Sequence, residues 1–194
     1  MAGTQGGPGG LQHPVLWSPR RVVRELPLPA GYAQATVTGL DEDGTVVGFA
    51  LTEPTDPSPG APVVWRTDGS VQVLTPPDGG AELNGFPVIG AARILAVNGA
   101  SELLEWDVRG GAPRVLTDSV QRLSAVNSRG SVLISAFPKG DVLVDGLLRN
   151  GELRPIPRFG GISRPNALSD RDTLYLQTND RGDSVPMKYD CTAS

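Results

Sequence analysis

Four polar side chains of this chain recur at one position relative to four successive turns, and two of them are arginines. Each lies eight residues before a turn predicted at position 44, 92, 130 or 172: Thr36, Asn84, Arg122 and Arg164. Neighbouring guanidinium groups can bind a carboxylate or phosphate, because each offers a planar pair of N–H donors. Asn166 adds an amide close by. The set predicts an anion-binding site, and the alternative interpretation is that both arginines are solvated or paired with Asp118 and Asp170.

Acid–base chemistry has two candidates on the same rim. Glu82 could serve as a general base and Tyr32 as a hydroxyl donor, and both are equally consistent with ordinary loop residues. A catalytic triad is not expected, because His13 is the single histidine of the chain. The single cysteine, Cys191, excludes an internal disulfide and a cysteine metal cluster. No metal site and no cofactor are therefore predicted.

These candidates can share a site only if a repeated unit carries them, and the sequence contains such a repeat. Bulky residues end apolar segments at intervals of 48, 41, 42 and 41 residues: Trp17, Trp65, Trp106, Leu148 and Tyr189. A period of this size indicates a repeat architecture. All three tryptophans of the chain occupy the repeated position, which argues against scattered core tryptophans.

Each unit contains short apolar runs joined by hairpin chemistry. In the clearest copy, Asp43-Gly44 and Asp68-Gly69 separate apolar runs that are typical of β-strands. The unit therefore predicts four antiparallel strands, which is the content of one β-propeller blade. The tryptophan that ends the third strand is expected to pack between neighbouring blades, because one blade alone cannot cover so large a ring.

The segment Leu40-Asp-Glu-Asp-Gly-Thr-Val-Val-Gly48, followed by a loop and Ala61-Pro-Val-Val-Trp65, resembles the HAF-type repeats of bacterial extracellular and enzyme-associated propellers. The resemblance spans residues 13 to 190 and is strongest in this first full unit. Ala61-Pro-Val stands where the family has His-Ala-Phe. The resemblance implies a propeller architecture and assigns no catalytic residue.

The strand count predicts an all-β domain over residues 13–190, after a flexible segment 1–12 and before a tail 191–194. Seventeen predicted strands favour a small β-propeller of four four-stranded blades, closed by an N-terminal strand that pairs with the C-terminal blade. A five-bladed or incomplete ring is the alternative. One strand, His13–Trp17 or Ser184–Tyr189, is left over, and it could pair with a second copy of the chain to give a homodimer.

The net charge and the hydropathy of the chain limit the kinds of partner and the location that are expected. The net charge of −4 does not favour nucleic acid or an anionic membrane, and no apolar run approaches the length of a transmembrane helix. The start of the chain lacks the pattern of a signal peptide, so a cytoplasmic location is expected, or a secreted one if the start has been trimmed.

Two functions remain open at this stage. The first is binding of a small molecule or a protein by the loop face and central channel of a compact propeller. The second is a cofactor-independent biosynthetic enzyme of the cyclase, lyase or isomerase type, which would position its substrate among acid–base residues at the channel mouth.

Overall fold

The computed structural model describes residues 1–18, 23–53, 60–77, 83–138, 142–157, 164–180 and 183–191. It is all-β, with five small antiparallel sheets of three or four strands. Glu82 and residues 192–194 of the predicted tail lie outside the described residues. The described part of the chain contains no helix long and apolar enough to span a bilayer.

Each sheet is formed by consecutive segments of the chain. The strands of sheets I and II are β1 (Ala2–Gly6), β2 (Gln12–Trp17) and β3 (Val23–Glu25), then β4 (Gln34–Leu40), β5 (Val46–Leu51), β6 (Ala61–Trp65) and β7 (Val71–Val73). Those of sheet III are β8 (Val88–Gly90), β9 (Arg93–Val97), β10 (Leu103–Asp107) and β11 (Arg114–Thr117). Those of sheets IV and V are β12 (Val120–Val126), β13 (Val132–Ala136), β14 (Val144–Arg149) and β15 (Glu152–Pro155), then β16 (Arg164–Leu168), β17 (Thr173–Asp180) and β18 (Asp183–Asp190).

The repeat read from the sequence is confirmed in sheets II to IV. Each has four strands paired in chain order, and the turn between its first two strands falls where the sequence predicted it. The reference residues of the four turns all have a positive φ: Gly44 (92°), Ala92 (56°), Gly130 (82°) and Asp172 (57°). Positive φ closes the tight turn between antiparallel strands. We call this end of the sheets the turn end and the opposite end, near residues 98–101, 118–121 and 137–138, the loop end.

Both faces of the central sheets are buried, because each sheet packs against the next. Ile94 and Ala96 of β9 belong to the cluster shared with sheet II, whereas Leu95 and Val97 belong to the cluster shared with sheet IV. Alternate residues of a strand point to opposite faces, so a continuous apolar run serves two interfaces.

The tryptophans occupy the interfaces that the repeat predicted for them. Trp106 of sheet III packs in the cluster that contains Val47 and Val64 of sheet II. Trp65 of sheet II packs in the cluster that contains Leu26 and donates its indole N–H to the Pro27 carbonyl oxygen at 2.7 Å. The predicted packing of these rings between neighbouring sheets is therefore confirmed.

The number of sheets and the pairing of the chain's first strands differ from the expectation. Five sheets are present where the strand count favoured four. Part of the segment predicted to be flexible forms β1, which pairs with β2. Strand β2 is therefore the central strand of sheet I, between β1 and β3. Sheet V pairs β18 with β17, and in the described residues no N-terminal strand belongs to it. The expected sharing of one blade between the two ends is not found in the described residues, where β1 covers the edge of β2 opposite β3.

Candidate functional site

The four recurrent polar positions are equivalent in the register of the sheets. Thr36 pairs with Phe49, Arg122 with Ser135 and Arg164 with Gln177, so each lies opposite the residue thirteen positions later. Asn84 precedes β8 and donates its backbone N–H to the Val97 carbonyl oxygen at 2.7 Å, in the same register. The repeat therefore brings these backbone positions to the loop end of the first strands of sheets II to V.

The side chains at these positions differ in their surroundings. The Thr36 hydroxyl donates to the Gln12 amide oxygen and so links sheets I and II. Arg122 and Asn84 are exposed. Arg122 forms no ion pair with any residue in the described part of the chain. For Arg164 and Asn166 the structure describes the backbone within β16, and not the side chains.

Of the two acid–base candidates, Glu82 lies outside the described residues, and the structure describes Tyr32. Tyr32 is half-buried and packs against the cluster that contains Leu26 and Trp65. Asp170, considered as a partner of the arginines, lies at the turn end and accepts the Ser128 N–H at 2.9 Å. Hydrogen bonds from Ser128 hold the pKa of Asp170 below its usual value.

A cavity of about 600 Å³ opens at the loop end between sheets III and IV. Its lining includes Gln121, the residue that precedes Arg122 in the sequence. Its walls include Ser101, Asp118, Ser119, Gln121 and Phe137. Backbone hydrogen bonds fix these walls: the Val120 N–H donates to the Ser101 oxygen at 2.8 Å and the Phe137 N–H to the Ser119 oxygen at 2.9 Å.

Two wall residues of this cavity have an unusual backbone. Ser101 has a φ of 63° and Ser119 a φ of 59°. L-residues other than asparagine and aspartate rarely adopt this left-handed conformation. The tight turns place both serines at the rim of the cavity, where hydroxyl groups can bind a polar ligand.

An aromatic surface also lies at the loop end of the sheets. Phe86 stacks on Phe49, with ring centroids 5.2 Å apart and 23° between the ring planes. Phe86 keeps 61% of its surface exposed, whereas Phe49 keeps 9%. The exposed ring of Phe86, which stacks on the buried ring of Phe49, offers a flat apolar surface just before the start of β8.

A charged cluster at the turn end was not anticipated from the sequence. Glu105 is buried between sheets III and IV and accepts from Arg93 Nη1 at 2.7 Å and from Arg114 Nε at 2.8 Å. The signal was present in the repeat. At the position of Arg93 the other sheets have Thr45, Ser131 and Thr173, and at the position of Glu105 sheets II and IV have Val64 and Leu147. In sheets II and IV both positions are neutral, so two charges of opposite sign at these positions of sheet III indicate a pair.

Comparisons with known proteins add no further assignment. No family model matches the chain, and no curated protein matches it.

Proposed function

We propose that the chain is a binding module in which the five sheets are arranged radially, as the blades of a small propeller with the innermost strands around a channel. The contacts between successive innermost strands support this arrangement: β1 contacts β4, β4 contacts β8, β8 contacts β12, and β12 contacts β16. Buried clusters join each sheet to the next from I to V. Contact between sheets V and I would complete the ring and bury the outer faces of these two sheets.

The ligand of this module carries negative charge and binds at the loop end of sheets III and IV. One observation supports this most directly: Arg122 is exposed, directly follows the cavity residue Gln121 in β12, and forms no ion pair with any described residue. On a chain of net charge −4, an unpaired guanidinium is a local positive site. A small carboxylate or phosphate, or an acidic surface of a protein partner, matches a guanidinium with serine hydroxyls nearby.

Two observations favour binding over the catalytic alternative. Tyr32, one of the two acid–base candidates, packs against a hydrophobic cluster. Phe86 and Phe49 add an apolar contact surface, which suits recognition of a ligand.

Calorimetric titration of the purified chain with inorganic phosphate and with citrate tests the proposal. Arg122→Ala is expected to weaken binding by about tenfold or more, since a hydrogen bond to a charged group contributes about 1.5–3 kcal/mol. The matched control is Arg109→Ala, which removes an exposed arginine at the turn end of sheet III and should leave the affinity unchanged. Absence of binding by either anion, or equal weakening by the two substitutions, would contradict the proposal.

A further inference from the structure

A second cleft, at the turn end between sheets IV and V, has the composition of a ligand site. Its volume is about 260 Å³, and its lining includes Leu147, Arg149, Arg154, Ile156 and Asp172. It lies at the opposite end of the sheets from Arg122, so it is independent of the loop-end site. Ser131 also borders this cleft, and its buried hydroxyl has no hydrogen-bond partner in the described part of the chain.

The polar wall of the cleft is organised around a buried carboxylate. Asp172 accepts from Asn127 Nδ2 at 2.7 Å and from Arg149 Nη1 at 3.3 Å, and its side chain is 5% exposed. It holds a left-handed conformation at the turn position where sheets II and IV have Gly44 and Gly130. Asn127 and Arg149 therefore fix the carboxylate between the two sheets, and Arg149 keeps 47% of its side chain exposed.

Arg154 is the residue that this cleft offers to a ligand. It pairs with Leu147 in the register in which Arg114 pairs with Glu105 one sheet earlier. In sheet III the buried Glu105 neutralises Arg114, whereas in sheet IV the apolar Leu147 stands at that position. Arg154 is left with Glu152 at 3.5 Å, and both side chains are about two-thirds exposed or more. Such an exposed ion pair is weak, so the guanidinium of Arg154 can bind another anion in place of Glu152.

The rest of the cleft selects the kind of anion. Leu147 and Ile156 contribute to the hydrophobic cluster shared by sheets IV and V, so an apolar body can pack on them. The charged residues that line the cleft are two arginines and one aspartate, a net charge of +1, and a monoanion bound to Arg154 would replace Glu152 as its partner. The small volume restricts the ligand to about ten non-hydrogen atoms.

We propose that the cleft between sheets IV and V binds a small monocarboxylate with an apolar body. The carboxylate binds Arg154, and the apolar body packs on Leu147 and Ile156. Asp172 keeps Arg149 at the opposite wall, where it adds positive charge without requiring a second negative group on the ligand.

Cys191 supplies a local readout, because it lines the cleft and is the single cysteine of the chain. The rate of its alkylation by iodoacetamide is measured with increasing phenylacetate or 4-methylpentanoate, and with phenylacetamide as the uncharged control. A ligand of this size binds with a Kd of roughly millimolar. Both acids are expected to slow alkylation and to raise the unfolding temperature, and the amide is not.

Two variants separate recognition of the anion from general effects. Arg154→Gln is expected to weaken protection by the acids about tenfold. Arg129→Gln removes an exposed arginine that lines a separate cleft, at the turn end between sheets III and IV, and should leave protection unchanged. Leu147→Glu reproduces in sheet IV the pairing found in sheet III and removes part of the apolar wall, so it should also abolish protection. Arg122→Ala should have no effect here, which distinguishes failure of this site from failure of the loop-end site. Equal protection by acid and amide, or unchanged protection in Arg154→Gln, would overturn the proposal, as would no protection by either acid.

Discussion

Replacing Glu105 by leucine tests whether the repeat register predicts the energetics of the sheets. Glu105 is the shared acceptor of Arg93 and Arg114 at the interface of sheets III and IV. The substitution removes the carboxylate and leaves both guanidinium groups without their acceptor. Leucine is chosen because sheet IV carries Leu147 at the same register position.

The expected loss of stability follows from the exposure of the two arginines. Arg114 is 69% exposed, so water can solvate it, and its share is under about 1 kcal/mol. Arg93 is 24% exposed, and its Nη2 atom is already buried without a partner. Leaving a buried charge uncompensated costs about 3–5 kcal/mol, which we reduce to about 2–4 kcal/mol because Arg93 retains some contact with water. A chain of this length should then unfold roughly 5–12 °C lower.

A second substitution should restore most of the loss. The double variant Arg93→Ser, Glu105→Leu reproduces the pair found in sheet IV, Ser131 and Leu147. With both charges removed, no buried ion is left uncompensated, and apolar replacements of buried ion pairs are often neutral. We expect the double variant to lie within about 1 kcal/mol of the parent chain.

Urea unfolding followed by circular dichroism measures both variants, with Glu152→Ala as the control for an exposed pair. The control should change the free energy of unfolding by less than about 0.5 kcal/mol, since Glu152 and Arg154 are 70% and 67% exposed. The reasoning is refuted if Glu105→Leu is as stable as the parent, or if the double variant is no more stable than the single one.

Two further predictions concern the strand pairing and the thiol. Gly48→Ala should destabilise the chain by about 3 kcal/mol or more in urea unfolding, because an added Cβ would lie 1.9 Å from the Thr36 carbonyl oxygen; Gly6→Ala, with no atom within 4 Å, should be nearly neutral, and the reverse order would contradict the β4–β5 register. Burial, with smaller contributions from Asp172 and Asp190, raises the pKa of the Cys191 thiol from 9.0 to about 11, so at pH 8 the folded chain should react with iodoacetamide roughly 100-fold more slowly than the urea-unfolded chain. Because the folded state favours the protonated thiol, the raised pKa contributes to stability, fully below pH 9 and less as the pH rises towards 11. An alkylation rate of the folded chain that levels off near pH 9 would contradict the raised pKa.

The sequence predicted those positions of the candidate site that depend only on the repeat. Counting back from the turns placed Thr36 and Arg122 in equivalent register, because hairpin turns fix strand register locally. The same count could not show that the Thr36 hydroxyl is engaged by Gln12. That contact depends on sheet I packing against sheet II, which a repeat pattern does not encode.

The sequence by itself determined the period, the turn positions and the interfacial role of Trp65 and Trp106. These follow from alternating apolar runs and from turn residues that accept a positive φ, which are local properties of the chain. Only the tertiary structure decided that β1 pairs with β2 and gives five sheets instead of four. It also decided that Arg154 faces a leucine where Arg114 has a glutamate. Both depend on which segments and side chains meet across an interface, and that choice is made by packing between distant parts of the chain.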